Sequence, residues 1–88
     1  MLFVTILTWE PDKRNEIIKR RSEQGAMRAE GIKLIGEWVD VGGGRDVIVY
    51  EADDTRAMLT TALAWDDIMK FETFVAMDAE EVMGAIKQ

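Results

Sequence analysis

The apolar segment at residues 2–9 constrains the fold of this chain most strongly. It consists mainly of aliphatic and aromatic residues, and Thr5 and Thr8 carry its only hydroxyl groups. A strand with one face in water alternates polar and apolar residues, whereas a strand covered on both faces lacks that alternation. The segment therefore predicts a strand at the centre of a sheet, with a packed layer on each side.

Three segments carry the signals of helices. Pro11 suits a first helical turn, where its missing N–H group costs no hydrogen bond, and a charged helix is predicted over residues 11–24. The Asp-Asp-Thr sequence at residues 53–55 predicts the cap of a second helix that ends near Asp67. The acidic residues 78–81 predict the start of a short amphipathic tail helix.

Three further strands are predicted around these helices. Residues 32–41 and 45–52 have strand character and are joined by residues 42–44, three glycines that accept positive φ in a tight reversal. Residues 69–77 alternate in the same way. In the second strand, the period of two predicts one face formed by Ile32, Leu34, Gly36 and Trp38 and the other by Lys33, Ile35, Glu37 and Val39.

The order β-α-β-β-α-β predicts the α+β class and a ferredoxin-like sandwich with a four-stranded antiparallel sheet and a short C-terminal helix. The 88 residues suffice for one such domain, spanning residues 1–88. Both helices of this fold lie on one face of the sheet, yet the first strand is apolar on both faces. Since large apolar patches are rare on monomers, we expect a homodimer whose sheets close face to face.

Composition excludes several kinds of chemistry. The chain has 11 Lys and Arg against 17 Asp and Glu, a net charge of −6, which disfavours nucleic acid as a partner. It has no Cys and no His, which removes thiolate nucleophiles, Cys/His zinc sites, His-ligated haem and Ser-His-Asp triads. We expect no cofactor and no metal. The apolar runs are too short to span a membrane, and no signal peptide is evident, so a cytoplasmic location is expected.

An ordered set of motifs resembles a known family. The motifs are Thr8-Trp9 followed by Pro11, the sequence EGIKLIGEW at residues 30–38, GGGR at 42–45, EADD at 51–54, WDD at 65–67, Phe71-Glu72 and the acidic residues 78–81. Together they are similar to domain of unknown function 3303, an uncharacterised family of the dimeric α+β barrel superfamily. The resemblance implies the fold and a dimer but no activity. Relatives in the superfamily range from cofactor-free monooxygenases and lactone isomerases to haem enzymes and ligand-sensing domains.

Three tryptophans are candidate ligand-binding residues. Trp9, Trp38 and Trp65 could line a pocket between the sheet and the helices that holds a flat apolar or aromatic ligand. Packing in the core and at the dimer interface also explains the three tryptophans, and we favour this interpretation over a ligand pocket. Trp38 is the best pocket candidate, because it lies between Gly36 and Asp40 in its strand.

Three polar residues within apolar strands are the other candidates. A buried Glu37 or Glu72 with a raised pKa could accept a proton from a ligand, and the Tyr50 side chain could position that ligand. Alternatively, Glu37 faces solvent or pairs with Lys33 or Arg45, and the hydroxyl group of Tyr50 is wet. We favour this alternative for Glu37, whereas for Glu72 the two are nearly even.

The remaining charged clusters have simpler explanations. The acidic pairs at residues 53–54 and 66–67 and the acidic segment at residues 78–81 lie where helices begin or end. Capping explains the first and the last of these clusters and is favoured over Mg²⁺ or Ca²⁺ binding. The cations of the first helix are expected to form a solvated surface: Lys13, Arg14, Lys19, Arg20 and Arg21.

Three functions remain open at this point. The favoured one is a homodimeric small-molecule binding or sensing protein with a pocket between sheet and helices. The alternatives are a cofactor-independent enzyme similar to the barrel monooxygenases or isomerases, and a structural or interaction protein without a ligand. A polar group aimed into a cavity would favour the enzyme, and a solid core the structural protein.

Overall fold

The computed structural model describes residues 1–87. It contains the predicted order of strands and helices, followed by the short C-terminal helix. The elements are β1 (Leu2–Thr8), α1 (Arg14–Gln24), β2 (Ile32–Val39), β3 (Arg45–Ala52), α2 (Thr55–Leu63), β4 (Lys70–Ala76) and α3 (Ala79–Ile86), with a 3₁₀ turn at Pro11–Lys13 before α1.

The sheet has the strand order β2-β3-β1-β4, and all of its neighbouring pairs are antiparallel. This confirms the ferredoxin-like α+β fold and the central position of β1, which lies between β3 and β4. Phe3, Thr5 and Leu7 of β1 are buried on one face. We call this the helix face of the sheet. The opposite face, which carries Val4 and Ile6, we call the open face.

Local signals define the helix ends. The side chain of Asp54 accepts a hydrogen bond from the backbone N–H of Arg56 and caps α2. Asp78 accepts from the N–H groups of Glu80 and Glu81 and caps α3. These are the predicted caps, which satisfy backbone donors that have no partner within a helix.

Helix α2 ends at Leu63, earlier than the predicted end near Asp67. The chain continues in tight turns, in which the N–H of Ile68 donates to the carbonyl oxygen of Trp65. These turns bury Trp65 and Ile68, whereas Asp67 stays exposed. The burial of Trp65 and Ile68 in the core, and not the helical spacing of the sequence, determines the conformation of this segment.

A β-bulge in β2 changes which residues share a face. The pairing of β2 with β3 shifts between Leu34 and Gly36, so one extra residue lies on β2. Beyond the bulge, Glu37 pairs with Ile48 on the helix face and Trp38 pairs with Val47 on the open face. The predicted face shared by Ile32, Leu34, Gly36 and Trp38 was therefore wrong, because an insertion of one residue exchanges the two faces.

Two small groups of buried side chains form the core. Phe3, Tyr50 and Ala52 form one group near one end of the sheet, with the rings of Phe3 and Tyr50 stacked at a centroid distance of 5.8 Å. Ile17 of α1 packs with Trp65 and Ile68 in the other. The space between α1, the sheet and the chain after α2 is only partly filled, and this leaves a cavity.

The open face is apolar and uncovered. Val4, Ile6 and Val49 are partly exposed there, and Trp38 and Phe74 are 58% and 47% exposed. The indole ring of Trp38 lies where a side chain of Gly36 would project, so this glycine makes room for it. Within residues 1–87, no helix is both long and apolar enough to cross a membrane.

Candidate functional site

A cavity of about 790 Å³ lies between α1 and the helix face of the sheet. Its apolar lining comes from the ends of β1, β3 and β4, from α1 and from the turns after α2. The main apolar side chains are Leu7, Trp9, Ile17, Ile18, Ile48, Trp65, Met69 and Phe71. This volume lies within the range of about 300–1,000 Å³ that is typical of small-molecule sites.

Two of the three candidate tryptophans line this cavity. Trp65 is buried, and its indole Nε1–H donates a hydrogen bond of 2.9 Å to the carbonyl oxygen of Ala26. The guanidinium group of Arg20 lies 5.6 Å from the centre of the Trp65 ring and forms a two-pronged ion pair with Asp67. Trp9 is half-buried beside them. The indole ring of Trp65 is thus held by the hydrogen bond of its N–H group and by the guanidinium group of Arg20 over the ring.

Trp38 lies on the opposite side of the sheet. The prediction that it is the best pocket candidate was therefore wrong, because the β-bulge turns its side chain to the open face. Its exposed fraction of 58% shows that no residue between 1 and 87 covers it. Any role for Trp38 is a role of the open face, not of the cavity.

Glu37 is the centre of a charged cluster at one wall of the cavity. Its carboxylate accepts hydrogen bonds of 3.0 and 3.1 Å from Arg21 of α1 and one of 2.5 Å from Arg28 of the connection between α1 and β2. The side chain of Glu37 is only 14% exposed. The predicted pairing with Lys33 or Arg45 was wrong, since the bulge directs Glu37 toward α1.

Asp46 of β3 completes this cluster. It is 7% exposed, and its carboxyl group is within hydrogen-bonding reach of Glu37. We call Arg21, Arg28, Glu37 and Asp46 the corner cluster. Its members come from α1, the following connection, β2 and β3, so tertiary structure alone brings them together.

The two carboxyl groups of the corner cluster have pKa values that are displaced in opposite directions. Burial opposes ionisation of Glu37, but hydrogen bonds from Arg21, Asp46 and Arg28 outweigh it and lower its pKa from 4.5 to about 2. Burial, the hydrogen bond to Glu37 and the negative charge of Glu37 raise the pKa of Asp46 from 3.8 to about 7. Asp46 therefore carries the shared proton and donates it to ionised Glu37.

This arrangement allows proton exchange near neutral pH in a chain that has no histidine. Asp46 can hold a proton or release it, whereas Glu37 remains ionised between the two arginines. Two buried atoms of the cluster, Nε of Arg28 and Oδ1 of Asp46, have no hydrogen-bond partner among the described residues. Unpaired polar atoms of this kind are costly in a protein interior and are typical of functional sites.

Tyr50 lies in a second, smaller cavity of about 190 Å³. Its hydroxyl group is buried and hydrogen-bonded at 2.8 Å to Thr5, which in turn contacts the hydroxyl group of Thr73 at 2.8 Å. The alternative of a wet hydroxyl group was wrong, because Tyr50 faces the core between β1 and α2. Arg28 and Phe71 line both cavities, so the two spaces adjoin.

Glu72 lies outside both cavities. It pairs with Ile6 on the open face and is exposed. Within one chain Glu72 is not buried, because β4 is an edge strand and this face of it has no covering layer among the described residues.

The cations of α1 are not all solvated. Arg20 pairs with Asp67 and Arg21 pairs with Glu37, which corrects the expected solvated surface for these two residues. Arg14 is exposed, as expected, and also lines the cavity. Asp67 thus binds an arginine, whereas Asp54 and Asp78 cap helices. Among residues 1–87, no group of three acidic side chains is placed to hold a metal ion.

Sequence reasoning missed Asp46, Arg21 and Arg28 as site residues. The signal for Asp46 was available, since the alternation of β3 places this acid on the same face as Ile48 and Tyr50, a face that is otherwise apolar. Arg21 and Arg28 carried no comparable signal, because one lies in a helix with many charges and the other in an irregular connection.

The fold is similar to those of solved structures of low sequence identity. A provisionally named antibiotic biosynthesis monooxygenase from Deinococcus radiodurans has 17% identity and a TM-score of 0.50, with 90% of this chain and 95% of that chain covered. An uncharacterised NIPSNAP domain protein from Burkholderia xenovorans has 15% identity and a TM-score of 0.50, with 90% and 97% covered.

Such identities show the fold alone, which is the ferredoxin-like α+β arrangement described above. No protein of curated function is significantly similar to the chain. Residues 1–88 of the chain match the model of the domain of unknown function DUF3303, and the protein therefore belongs to the DUF3303 family.

Proposed function

We propose that the protein binds a small, mainly apolar or aromatic molecule in the cavity between α1 and the sheet. The observation that carries the proposal is the cavity itself, about 790 Å³ in a chain of only 88 residues. The cavity is open to solvent on one side, where Ile18, Val39 and Val41 are exposed. A protein this small has little apolar surface to bury, so apolar side chains left around an open cavity cost stability. A cavity of this size is therefore best explained by an occupant, which also argues against a purely structural protein.

The positions of the three tryptophans provide a direct test. Trp9 and Trp65 line the cavity, whereas Trp38 lies on the open face. Each gives one indole N–H signal in a ¹H–¹⁵N NMR spectrum, and single Trp→Phe variants assign them. Titration with N-phenyl-1-naphthylamine, a neutral aromatic probe, should shift the signals of Trp65 and Trp9 and leave that of Trp38 unchanged.

A matched pair of variants controls for binding elsewhere. Ala26→Leu places a larger side chain at the cavity wall next to the Trp65 indole, and we expect it to weaken probe binding. Val49→Leu makes a similar change on the open face and should have no effect. A shift of the Trp38 signal alone, or no shift at saturating probe, would contradict the proposal.

The corner cluster supports a second candidate, a cofactor-independent enzyme that moves a proton. Asp46 is a buried acid whose pKa lies near neutrality, at about 7, beside a cavity that can hold a substrate. As a base, the ionised Asp46 would take a proton from an acidic C–H or O–H group, and as an acid it would return the proton elsewhere on the substrate. The fold shared with the Deinococcus radiodurans protein agrees with this candidate without assigning a reaction.

An activity screen with quinols and lactones tests this candidate. Turnover that is lost in Asp46→Asn but retained in Glu51→Gln, an exposed acid of the same strand, is the expected result for an enzyme. If Asp46→Asn retains full turnover, or if no substrate is converted, the enzyme candidate is rejected and the proposed binding function stands.

We also propose that the protein is a homodimer that pairs through its open face. Trp38 and Phe74 are exposed there together with aliphatic residues of β1 and β3, and patches of this kind are rare on monomers. Sedimentation at micromolar concentration should give a dimer for the wild-type protein and a monomer for Phe74→Lys. Lys19→Glu, a change at an exposed residue of α1 away from the open face, serves as the control. A wild-type monomer would refute the proposal.

A further inference from the structure

We propose that the ligand of the large cavity is an organic acid, whose apolar body lies against Trp9, Trp65 and Phe71 and whose oxyanion binds the arginines of the corner cluster. This inference rests on the proposed binding function and specifies the chemistry of the ligand. It is carried by the charges and the unused hydrogen-bond donors at the cavity wall.

The arginines of the corner cluster have donors to spare. A guanidinium group has five N–H donors. Arg21 gives one from each of its two terminal nitrogens to Glu37, and Arg28 gives one from a single nitrogen. Nε of Arg28 is buried and has no partner among the described residues. One carboxylate therefore uses only a minority of the donors that two arginines present, and a second oxyanion can bind beside it.

The charges of the cluster also favour an anion. Arg21 and Arg28 contribute two positive charges, and Glu37 contributes one negative charge. Asp46 adds little negative charge while it holds the shared proton. The cluster then has an excess of one positive charge in a protein whose net charge is −6. A positive corner inside an acidic protein attracts a monoanion and repels a cation.

The remaining charged residues of the cavity do not cancel this excess. Arg14 lies two helical turns before Arg21 and lines the same cavity, with only a long contact of 3.4 Å to its neighbour Asn15. Asp40 pairs with Arg45. The other lining residues near α1 are mainly apolar, which suits a ligand with one charged end.

Binding of an oxyanion at this corner should be linked to the proton on Asp46. The charged groups that face Asp46 are Arg21 of α1, Arg28 of the connection and Glu37 of β2, and its pairing partner in β1 is the apolar Leu7. A bound anion adds negative charge beside Asp46 and stabilises its protonated form. The affinity for an anion should therefore fall as the pH rises through the range in which Asp46 loses its proton.

Two probes that differ only in charge test the inference. 8-Anilinonaphthalene-1-sulfonate carries a sulfonate on the same ring skeleton as the neutral N-phenyl-1-naphthylamine. Both are titrated by NMR, with the Trp65 signal as the report of cavity binding. We expect Arg28→Gln to weaken the binding of the sulfonate by about tenfold or more, because a charge-assisted hydrogen bond is lost, and to change that of the neutral probe by less than about twofold. Lys19→Gln removes one positive charge from an exposed residue of α1 that does not line the cavity, and should have a much smaller effect on the sulfonate.

A second variant keeps the test valid if Arg28→Gln does not fold. The affinity of the wild-type protein for the sulfonate should fall several-fold, up to about tenfold, between about pH 6 and about pH 8, whereas that of Asp46→Asn should be constant. The neutral probe should show no pH dependence with either protein. Equal pH slopes in the two proteins would overturn the inference, as would equal losses in Lys19→Gln and Arg28→Gln.

The outcomes also separate this inference from the proposed function. If the neutral probe shifts the Trp65 signal and the sulfonate does not, the cavity binds ligands but has no anion subsite, and only the inference fails. If neither probe shifts that signal, the proposed binding function fails with it.

Discussion

Replacement of Asp46 by asparagine should abolish a pH dependence of stability that the wild-type protein shows below neutrality. In the folded protein, burial and the neighbouring Glu37 raise the pKa of Asp46 from 3.8 to about 7. The folded state therefore binds this proton more tightly than the unfolded state does. Stability due to Asp46 is complete below pH 3.8, falls as the pH rises toward about 7, and is constant above that value.

The structure sets the magnitude of this effect. A change in pKa from 3.8 to about 7 corresponds to an upper limit of about 4 kcal/mol, because each pKa unit is worth about 1.36 kcal/mol. About 2 kcal/mol of this is lost between about pH 5 and about pH 7, because Asp46 is already half ionised at its pKa. For a domain of this size, such a loss lowers Tm by about 10 °C or more. Asparagine can donate an N–H group to Glu37 but cannot titrate, so the variant should have a flat profile.

Urea denaturation followed by tryptophan fluorescence measures the free energy of unfolding at several pH values and one fixed protein concentration. We expect the wild-type value to fall between about pH 5 and about pH 7, and the Asp46→Asn value to change by less than about 0.5 kcal/mol. Glu51→Gln, on the same strand but exposed, should follow the wild-type profile. Parallel profiles for the wild-type protein and Asp46→Asn would refute the shared proton at the corner cluster.

Three further changes test other contacts. Glu37→Gln should lower the free energy of unfolding at neutral pH by about 2–3 kcal/mol, since it leaves two arginines without their carboxylate. Chemical denaturation should show that this difference disappears as the pH falls from 4.5 toward 2, because the pKa of Glu37 is lowered to about 2. Tyr50→Phe removes the 2.8 Å hydrogen bond to Thr5 and should cost about 1 kcal/mol in the same assay; no loss would mean that this hydroxyl group is solvated. Trp65→Phe loses both the bond to Ala26 and ring contacts, and should lower Tm by about 10 °C, whereas a shift below about 2 °C would contradict its buried position.

Much of the fold could be predicted from local patterns. The absence of polar alternation at residues 2–9 predicted the central position of β1, which the strand order confirms. The packed layer predicted on each side is present on the helix face only, because Val4 and Ile6 lie on the open face, which no described residue covers. Asp54 and Asp78 predicted the starts of α2 and α3, because a cap acts on backbone groups two or three residues away. Strand periodicity and helix caps act between residues close in the chain, so the sequence itself contains these signals.

The candidate site could be predicted only in part. Trp9, Trp65 and Tyr50 do face the two cavities, and Glu37 lies at a cavity wall. Trp38 and Glu72 do not, and the reasons differ. Trp38 was misplaced because β2 was interpreted as a regular strand, although Gly36, at the bulge, is a residue type that often marks one. Glu72 was misjudged because the sequence does not say which face of an edge strand is covered.

The sequence by itself determined the order of elements, the central strand and the helix caps, since each depends on periodicity or on backbone groups a few residues away. Only the tertiary structure decided the chemistry of the site. One extra residue in β2 exchanges its two faces and turns Glu37 toward α1 and Trp38 away from it. Asp46 then meets Glu37 through the pairing of β2 with β3, and Arg21 and Arg28 approach from separate segments. The proton shared by the corner cluster depends on burial and on neighbours distant in sequence, which no local pattern encodes.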